Sequence, residues 1–279
     1  AFARGPLLFF WVSFGAAKGL GCLCIPGGAM NSVARLHAII ENRVDILCCT
    51  PTYAMHLGSV AKAENIDLRQ SAVRAIVVGG EPGASIPATR ARIEELWPGA
   101  RLYDHHGMTE IGPVSYECPQ RRGVLHIIEP EFIAEVIDSD SGQPVAAGQS
   151  GELILTNLGR LGSPLLRYKT GDIVRPAAET PCACGSYELA LEGGILGRAD
   201  DMVQIRGVNV YPGAIEQIVR AFPQVVEYQV EVSQQDALNE MAIRIEPGAD
   251  AGSSLADEIQ KALKLNLSLR IPVETVAPG

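Results

Sequence analysis

The first hundred residues alternate between short apolar runs and stretches whose apolar positions recur every three or four residues. "GLGCLCIP" reads as a strand. "NSVARLHAIIEN" reads as a helix that gathers Val33, Leu36, Ile39 and Ile40 on one face, with Asn31 or Ser32 at its N-cap. "VDILCC" is an apolar strand, and "TYAMHLGSVAKAEN" a second helix carrying Tyr53, Leu57 and Val60. "VRAIVV" is a further strand, "IPATRARIEELW" a helix stopped by Pro98-Gly99, and "ARLY" opens the next strand. This alternation predicts a parallel sheet with helices on its faces. Ligands of such sheets sit beyond the carboxyl ends of the strands. Two polar, glycine-bearing loops, "GGEPGAS" (79–85) and "DHHGMTE" (104–110), follow consecutive strands and so emerge at one edge.

Beyond residue 114 the pattern changes to short strands and turn signals: "FIAEVID", "SGQPV", "GELILTNLG" and "LLRYKTGDIV". "LEGGILGRADD" (191–201) reads as a linker into a last module. In that module "MVQIRGVNV" predicts a hairpin, and "PGAIEQIVRAF" a helix with Pro212 at its start and Ile215, Ile218, Val219 and Phe222 on one face. The strands "VVEYQVEV" and "EMAIRIE" come next, then a helix to about residue 267 opened by a capping box of Ser254 and Asp257, and "VETVA" closes the module. The expected class is α/β: a parallel-sheet core (1–198) with a strand-rich subdomain over residues 114–190, followed by a small α+β C-terminal domain (199–279).

Composition narrows the function. With 279 residues, 47% hydrophobic and 20% charged, the chain has ordinary globular usage and ample core. A net charge of −9 and the lack of any Lys/Arg-rich run argue against nucleic-acid binding. "LLFFWVSFGAA" (7–17) is too short to span a bilayer, so no membrane partner is expected; it reads as a buried core segment in preference to a signal peptide. The start at Ala1, without a Met, suggests a piece of a longer chain. Seven cysteines form no disulfide framework; Cys22, Cys24, Cys48 and Cys49 read as buried thiols of a reducing cytoplasm, whereas Cys118, Cys182 and Cys184 lie in polar loops.

"YDHHGMTE" raises the question of a metal-binding histidine pair. Neighbouring side chains in an extended loop diverge, so His105 and His106 are a poor one. Taken alone, Asp172 in "TGD" reads equally as a turn residue, and "GRADD" as a solvated linker. "GGEPG" is not the dinucleotide fingerprint GxGxxG. Tyr53 and His56, at helical spacing, read as core.

Four motifs occur in order: "IVVGGEP", "YDHHGMTE", "GELILTNLG…PLLRYKTGD" and "LEGGILGRADDMVQIRGVNVYP". Together they resemble the adenylate-forming superfamily, most closely phenylacetate–coenzyme A ligases, over nearly the whole chain. The resemblance implies an ATP-dependent acid–thiol ligase. An aromatic, phenylacetate-like carboxylate attacks the α-phosphate of ATP with Mg²⁺ present, expelling pyrophosphate to leave the acyl adenylate, and the thiol of coenzyme A then displaces AMP to give the thioester. A carboxylate is a poor acyl donor because oxide would have to leave, and adenylation replaces that leaving group by AMP. Carried over residue by residue, Gly80, Glu81 and Pro82 would line the adenine and Asp104 would help bind the base. His106 would stand where the family usually has a stacking tyrosine, with Gly107 after it. Thr109 would donate to the phosphates, and Glu110 would ligate Mg²⁺. Asp172 would accept from both ribose hydroxyls, and Arg198 would contact ribose or phosphate. Asp200 would be the hinge of the mobile domain, and Gly207 would approach the thiol channel. Family members often dimerise, so a homodimer is open as a partner, and the reducing cytoplasm read from the cysteines is the expected location.

The chain departs from the family's pattern in lacking the phosphate loop and the lysine after the last strand, so both ends look truncated and this piece alone is expected not to adenylate acids. Acyl transfer to a carrier protein, or a non-catalytic nucleotide-binding remnant, stays open as an alternative. The loop cysteines supply one further expectation. Cys118, His126, Cys182 and Cys184 are a thiolate–imidazole set suited to structural zinc, and related ligases carry similar residues at these places. Spacing alone supports the set weakly. Thiols exposed in loops would be an oxidation liability unless used.

Overall fold

A computed structural model describes residues 8–178, 180–206, 208–235, 238–249 and 251–277. The chain divides into two compact units, Ala1–Leu196 and Gly197–Gly279. The fold is mixed α/β.

The first unit is built on three parallel strands, Ile46–Cys49, Ala75–Val78 and Arg101–Asp104, in that order and in register, so that Cys49, Val78 and Asp104 end the row together. Parallel strands need crossovers, and the helices Pro51–Ala63 and Pro87–Leu96 supply them. Asn31 caps the preceding helix, Ser32–Glu41, its side chain accepting from the Ala34 N–H at 2.8 Å. That helix turns Leu36 and Ile39 wholly inward, each worth about 1.5–3 kcal/mol of burial. Trp97 is buried beside them in the same core, and its indole N–H donates to the Ala54 carbonyl at 2.9 Å, pinning one crossover helix to the end of the other.

The strand-rich part carries two antiparallel sheets. Phe132–Ile137, Gly151–Asn157 and Tyr168–Val174 form one, and Ser115–Glu117, Val124–Ile127 and Ala190–Glu192 the other. They share a core of Leu125, Ile127, Leu153, Leu155, Val174 and Leu191.

The second unit is a small α+β structure. Leu238–Pro247 pairs antiparallel with Val225–Gln235 and parallel with Val273–Thr275. Val203–Ile205 and Val208–Val210 form the expected hairpin. The helices Pro212–Val219 and Leu255–Leu267 bury Ile215, Ile218, Ile259 and Leu263 in this unit's core.

Several local expectations fail, among them the reading of His56 as core, since it is exposed. Within "LLFFWVSFGAA" Leu7 and the side chains of residues 8–11 lie outside the described ones; from Leu8 to Gly19 the chain is a helix, and its described part is not buried core, with Val12 exposed and Gly15 and Ala16 in solvent. "GLGCLCIP" is not a strand. The N–H groups of Leu20, Gly21 and Cys22 turn back to the carbonyls of Ala16, Lys18 and Ala17, which spends the ladder donors on closing the helix and leaves Leu23 and Cys22 exposed. The capping box at Ser254 does not form, because its hydroxyl donates to the Glu258 carboxylate at 2.6 Å and caps no backbone N–H. Among the described residues, no helix is long and apolar enough to cross a membrane.

Candidate functional site

The two polar loops leave adjacent strands at the same edge. Gly80 has φ +91°, a conformation that suits glycine and turns the chain sharply off the strand Ala75–Val78. Glu81 then accepts from the Thr52 N–H at 2.7 Å and satisfies the first turn of the helix Pro51–Ala63, while Thr50 accepts from the Tyr53 N–H. The two loops are tied to each other, since the Ser85 hydroxyl donates to the Asp104 carboxylate. The other Asp104 oxygen accepts from the His105 N–H at 2.9 Å. Burial pushes the Asp104 carboxyl above its ordinary range, against the pull of these hydrogen bonds.

The adjacent histidines diverge. His105 turns its Nδ1 to the Ser115 carbonyl at 2.7 Å, and burial holds this imidazole below its ordinary value. His106 turns away to Asp172, with 3.0 Å between Nε2 and Oδ2 and side-chain exposures of only 10% and 7%. Among the described residues, His106 Nδ1 is buried without a hydrogen-bond partner. Asp172 reaches this position through a break in the pairing of Tyr168–Val174 with Gly151–Asn157, between Lys169 and Ile173, where Gly171 takes φ +77°. Thr170 stabilises the break: its hydroxyl donates to the Leu153 carbonyl and accepts from the Asp172 N–H.

Gly107 and Met108 pair with Pro113 and Gly112 in a tight hairpin whose tip carries Thr109 and Glu110, both exposed. A side chain at Gly107 would stand 2.7 Å from the Gly112 carbonyl oxygen, so only glycine fits there. Arg160 donates to the Glu110 carbonyl at 2.6 Å, and the Tyr168 hydroxyl donates to its carboxylate at 3.3 Å. Asp104, His106, Gly107, Thr109, Glu110 and Asp172 thus come together through hydrogen bonds or immediate chain neighbours, and Gly80, Glu81 and Pro82 lie in the loop that Ser85 ties to Asp104. Arg198 and Asp200 belong to the second unit, where they form a bidentate pair at 2.8 and 2.9 Å that holds the Asp200 carboxyl below its usual range. Gly207 lies outside the described residues.

The second constellation is compact. The ligand atoms of Cys118, His126, Cys182 and Cys184 all lie within 4.8 Å of one another. Cys118 follows the strand Ser115–Glu117 and His126 lies on its neighbour, while a turn at Gly185, with φ +88°, brings Cys184 round to them. Contrary to expectation, Cys118 and Cys182 are buried, not exposed loop thiols. Burial pushes the Cys182 thiol up, but the Cys184 N–H, the Arg121 guanidinium and the neighbouring thiols outweigh it and bring it down to about 6. His126 Nδ1 faces the Glu188 carbonyl at 3.4 Å, which directs Nε2 to Cys184.

Two groups escaped the sequence reading. Arg90 and Glu117 form a buried ion pair at 2.7 Å directly behind the loops. Neither stands in a motif, and the only clue was a charge on the helix that carries the buried Ile93.

Comparison with known proteins fits this geometry. The chain is 36% identical to a phenylacetate–coenzyme A ligase of Thermus thermophilus over 95% of its own length and 63% of that protein's. It is 31% identical to a phenylacetate–coenzyme A ligase of Pseudomonas putida, over 94% of this chain and 60% of the relative. It therefore spans about three fifths of the length of the curated relatives it matches. A crystal structure of 2-hydroxyisobutyryl-CoA ligase in the postadenylation state superposes with a TM-score of 0.92 at 28% identity, covering 100% of this chain and 61% of that one. The family model for AMP-binding enzymes matches residues 7–159, more than half of the chain, and that for the AMP-binding enzyme C-terminal domain matches residues 207–279. The chain belongs to the AMP-binding enzyme family.

Proposed function

We propose that the protein is an ATP-dependent acid–thiol ligase, which converts an aromatic, phenylacetate-like carboxylic acid to its acyl adenylate and passes the acyl group to coenzyme A. The observation that carries this reading is the contact of His106 with Asp172. It draws the loop after the strand Arg101–Asp104 together with a strand 66 residues away, beside the edge where the glycine loop also ends. An adenine nucleotide there would meet an aromatic ring at His106 and a carboxylate for its ribose at Asp172, flanked by Gly80, Glu81 and Pro82 and by Asp104. Thr109 offers a hydroxyl at the exposed hairpin tip, where the phosphates would lie.

The reaction asks mainly for charge neutralisation and alignment at phosphorus, so hydroxyl and backbone donors matter more than a covalent nucleophile. Glu110 suits a hard cation: its carboxylate is exposed at the same tip and tethered by the Tyr168 hydroxyl. It would hold Mg²⁺, which when bound neutralises phosphate charge. In the same reading Arg198 contacts the ribose or phosphate, and Asp200 is the hinge of a mobile domain running from residue 199 to the C-terminus. The acid, ATP and coenzyme A are the partners of this reading, and homodimerisation and a cytoplasmic location are proposed with it.

Zinc fits the cysteine–histidine cluster. Tetrahedral zinc with bonds of about 2.3 Å to sulfur and 2.0 Å to nitrogen spaces two thiolates roughly 3.8 Å apart, and a thiolate and an imidazole nitrogen roughly 3.5 Å apart. The structure has 3.8 Å between the sulfurs of Cys118 and Cys182, and 3.5 Å between Cys184 Sγ and His126 Nε2. We assign the cluster a structural role, because four protein ligands leave no open position for catalysis.

Acid-dependent ATP–pyrophosphate exchange by the full-length gene product tests the ligase reading, followed by coenzyme A-dependent release of AMP. Phenylacetate or a close aryl acid should support both. A protein that binds no adenine nucleotide, or exchanges pyrophosphate equally without acid, would overturn it.

A further inference from the structure

We infer that the buried Arg90–Glu117 pair sets the position of both nucleotide loops from behind, and that Glu117 is a positioning residue for ATP; this rests on the function proposed above. The Glu117 side chain is 0% exposed and Arg90 is 8% exposed, and each is bonded to fixed backbone. Glu117 Oε2 accepts from the Asp104 N–H at 2.6 Å, while Oε1 accepts from Arg90 Nη2 at 2.7 Å and the Gly123 N–H at 2.8 Å. Arg90 spends its remaining fork on the carbonyls of Ala84 and Leu102, both at 2.7 Å. Ala84 lies in the glycine loop, and Leu102 and Asp104 lie on the strand that launches the histidine loop. One ion pair therefore fastens both loops at their roots, and the Ser85–Asp104 hydrogen bond closes the ring in front.

The charge on Glu117 matters because its carboxylate is acceptor-only. Three donors converge on two oxygens, and a buried donor left facing another donor loses its bond outright. Neither residue reaches the proposed nucleotide surface: Glu117 acts through Asp104, and Arg90 through Ala84. Displacing either loop root would move the adenine-binding edge while leaving acid and coenzyme A recognition alone.

Glu117→Gln separates these roles. If the amide oxygen stays with Arg90 and Gly123, its two donors must face the Asp104 N–H; the opposite flip sets donors against Arg90. Three measurements on the full-length gene product apply: ATP affinity by titration calorimetry, amide hydrogen exchange over residues 104–107, and steady-state kinetics. The expected result for Glu117→Gln is faster exchange at Asp104 and His105, and ATP binding weakened about tenfold, the effect of one displaced contact set. KM for ATP should rise in step while KM for acid and for coenzyme A stays within about twofold. If Glu117→Gln loses its cooperative unfolding transition, Arg90→Lys decides, since it keeps a cation beside Glu117 but cannot span the Ala84 and Leu102 carbonyls. The same selective rise in KM for ATP is expected, with Glu117→Asp recovering part of the wild-type affinity. ATP binding within twofold of wild type in the folded variants, or equal rises in all three KM values, would overturn the inference. A wild-type full-length protein that binds no adenine nucleotide would sink the ligase reading instead, and exchange at residues 104–107 would still report whether Glu117 holds the loop.

Discussion

Replacing His106 by Phe and by Ala separates two jobs that one ring performs. The imidazole donates to Asp172 across 3.0 Å in a pair shielded from solvent, so little screening weakens it. Losing a hydrogen bond to a buried charged partner costs about 1.5–3 kcal/mol, and both variants lose it. They differ in the flat face. Stacking of an aromatic ring contributes about 0.5–1.5 kcal/mol, a roughly 2- to 13-fold change in Kd, and only Ala forfeits it. Urea unfolding followed by tryptophan fluorescence should thus show comparable destabilisation in H106F and H106A, with the larger loss in Ala because it also opens a cavity. ATP titration should put H106F within a few fold of wild type and H106A clearly weaker. Equal loss of ATP affinity in the two variants would refute stacking and transfer the role to the ring nitrogens, of which Nδ1 has no protein partner among the described residues.

Other outcomes follow from the same geometry. Protein purified without chelator should carry about one zinc per chain, and Cys118→Ser or Cys184→Ser should lose it together with thermal stability; a metal-free preparation of undiminished Tm would reject the site. Burial lowers the His105 pKa, so as pH falls below its ordinary value of 6.5 the unfolded chain takes up a proton that the folded chain declines. Stability should therefore drop from that value down to the folded pKa, and His105→Asn should flatten the profile; an unchanged slope between pH 7.5 and 5.5, on the order of one unit either side, would exclude His105 as its source. Gly107→Ala should destabilise the chain by about 1–3 kcal/mol, because the new methyl meets a backbone carbonyl, and should lower ATP affinity as the Thr109–Glu110 tip shifts. Wild-type nucleotide binding by this variant would show that the tip does not reach the phosphates.

The apolar pattern alone determined the elements of the sheet core, since burying a face every 3.6 or 2 residues is a local demand. Asn31 announced its helix, and the strands ending at Val78 and Asp104 announced the edge from which both polar loops emerge. The order of the motifs carried the family. The local reading failed where a polar group had two available partners. Ser254 chose the Glu258 carboxylate over a backbone N–H, and the amides after Gly19 chose helix carbonyls over a strand. Only the tertiary structure decided the contacts of the site itself. His106 and Asp172 are 66 residues apart, Cys118 and Cys182 are 64 apart, and Arg90 and Glu117 are 27 apart. Such pairs leave no periodicity in the chain, because each partner obeys its own element's pattern. Burial then makes them matter: away from water a carboxylate, a guanidinium or an imidazole must find its partner within the protein, wherever in the sequence that partner lies.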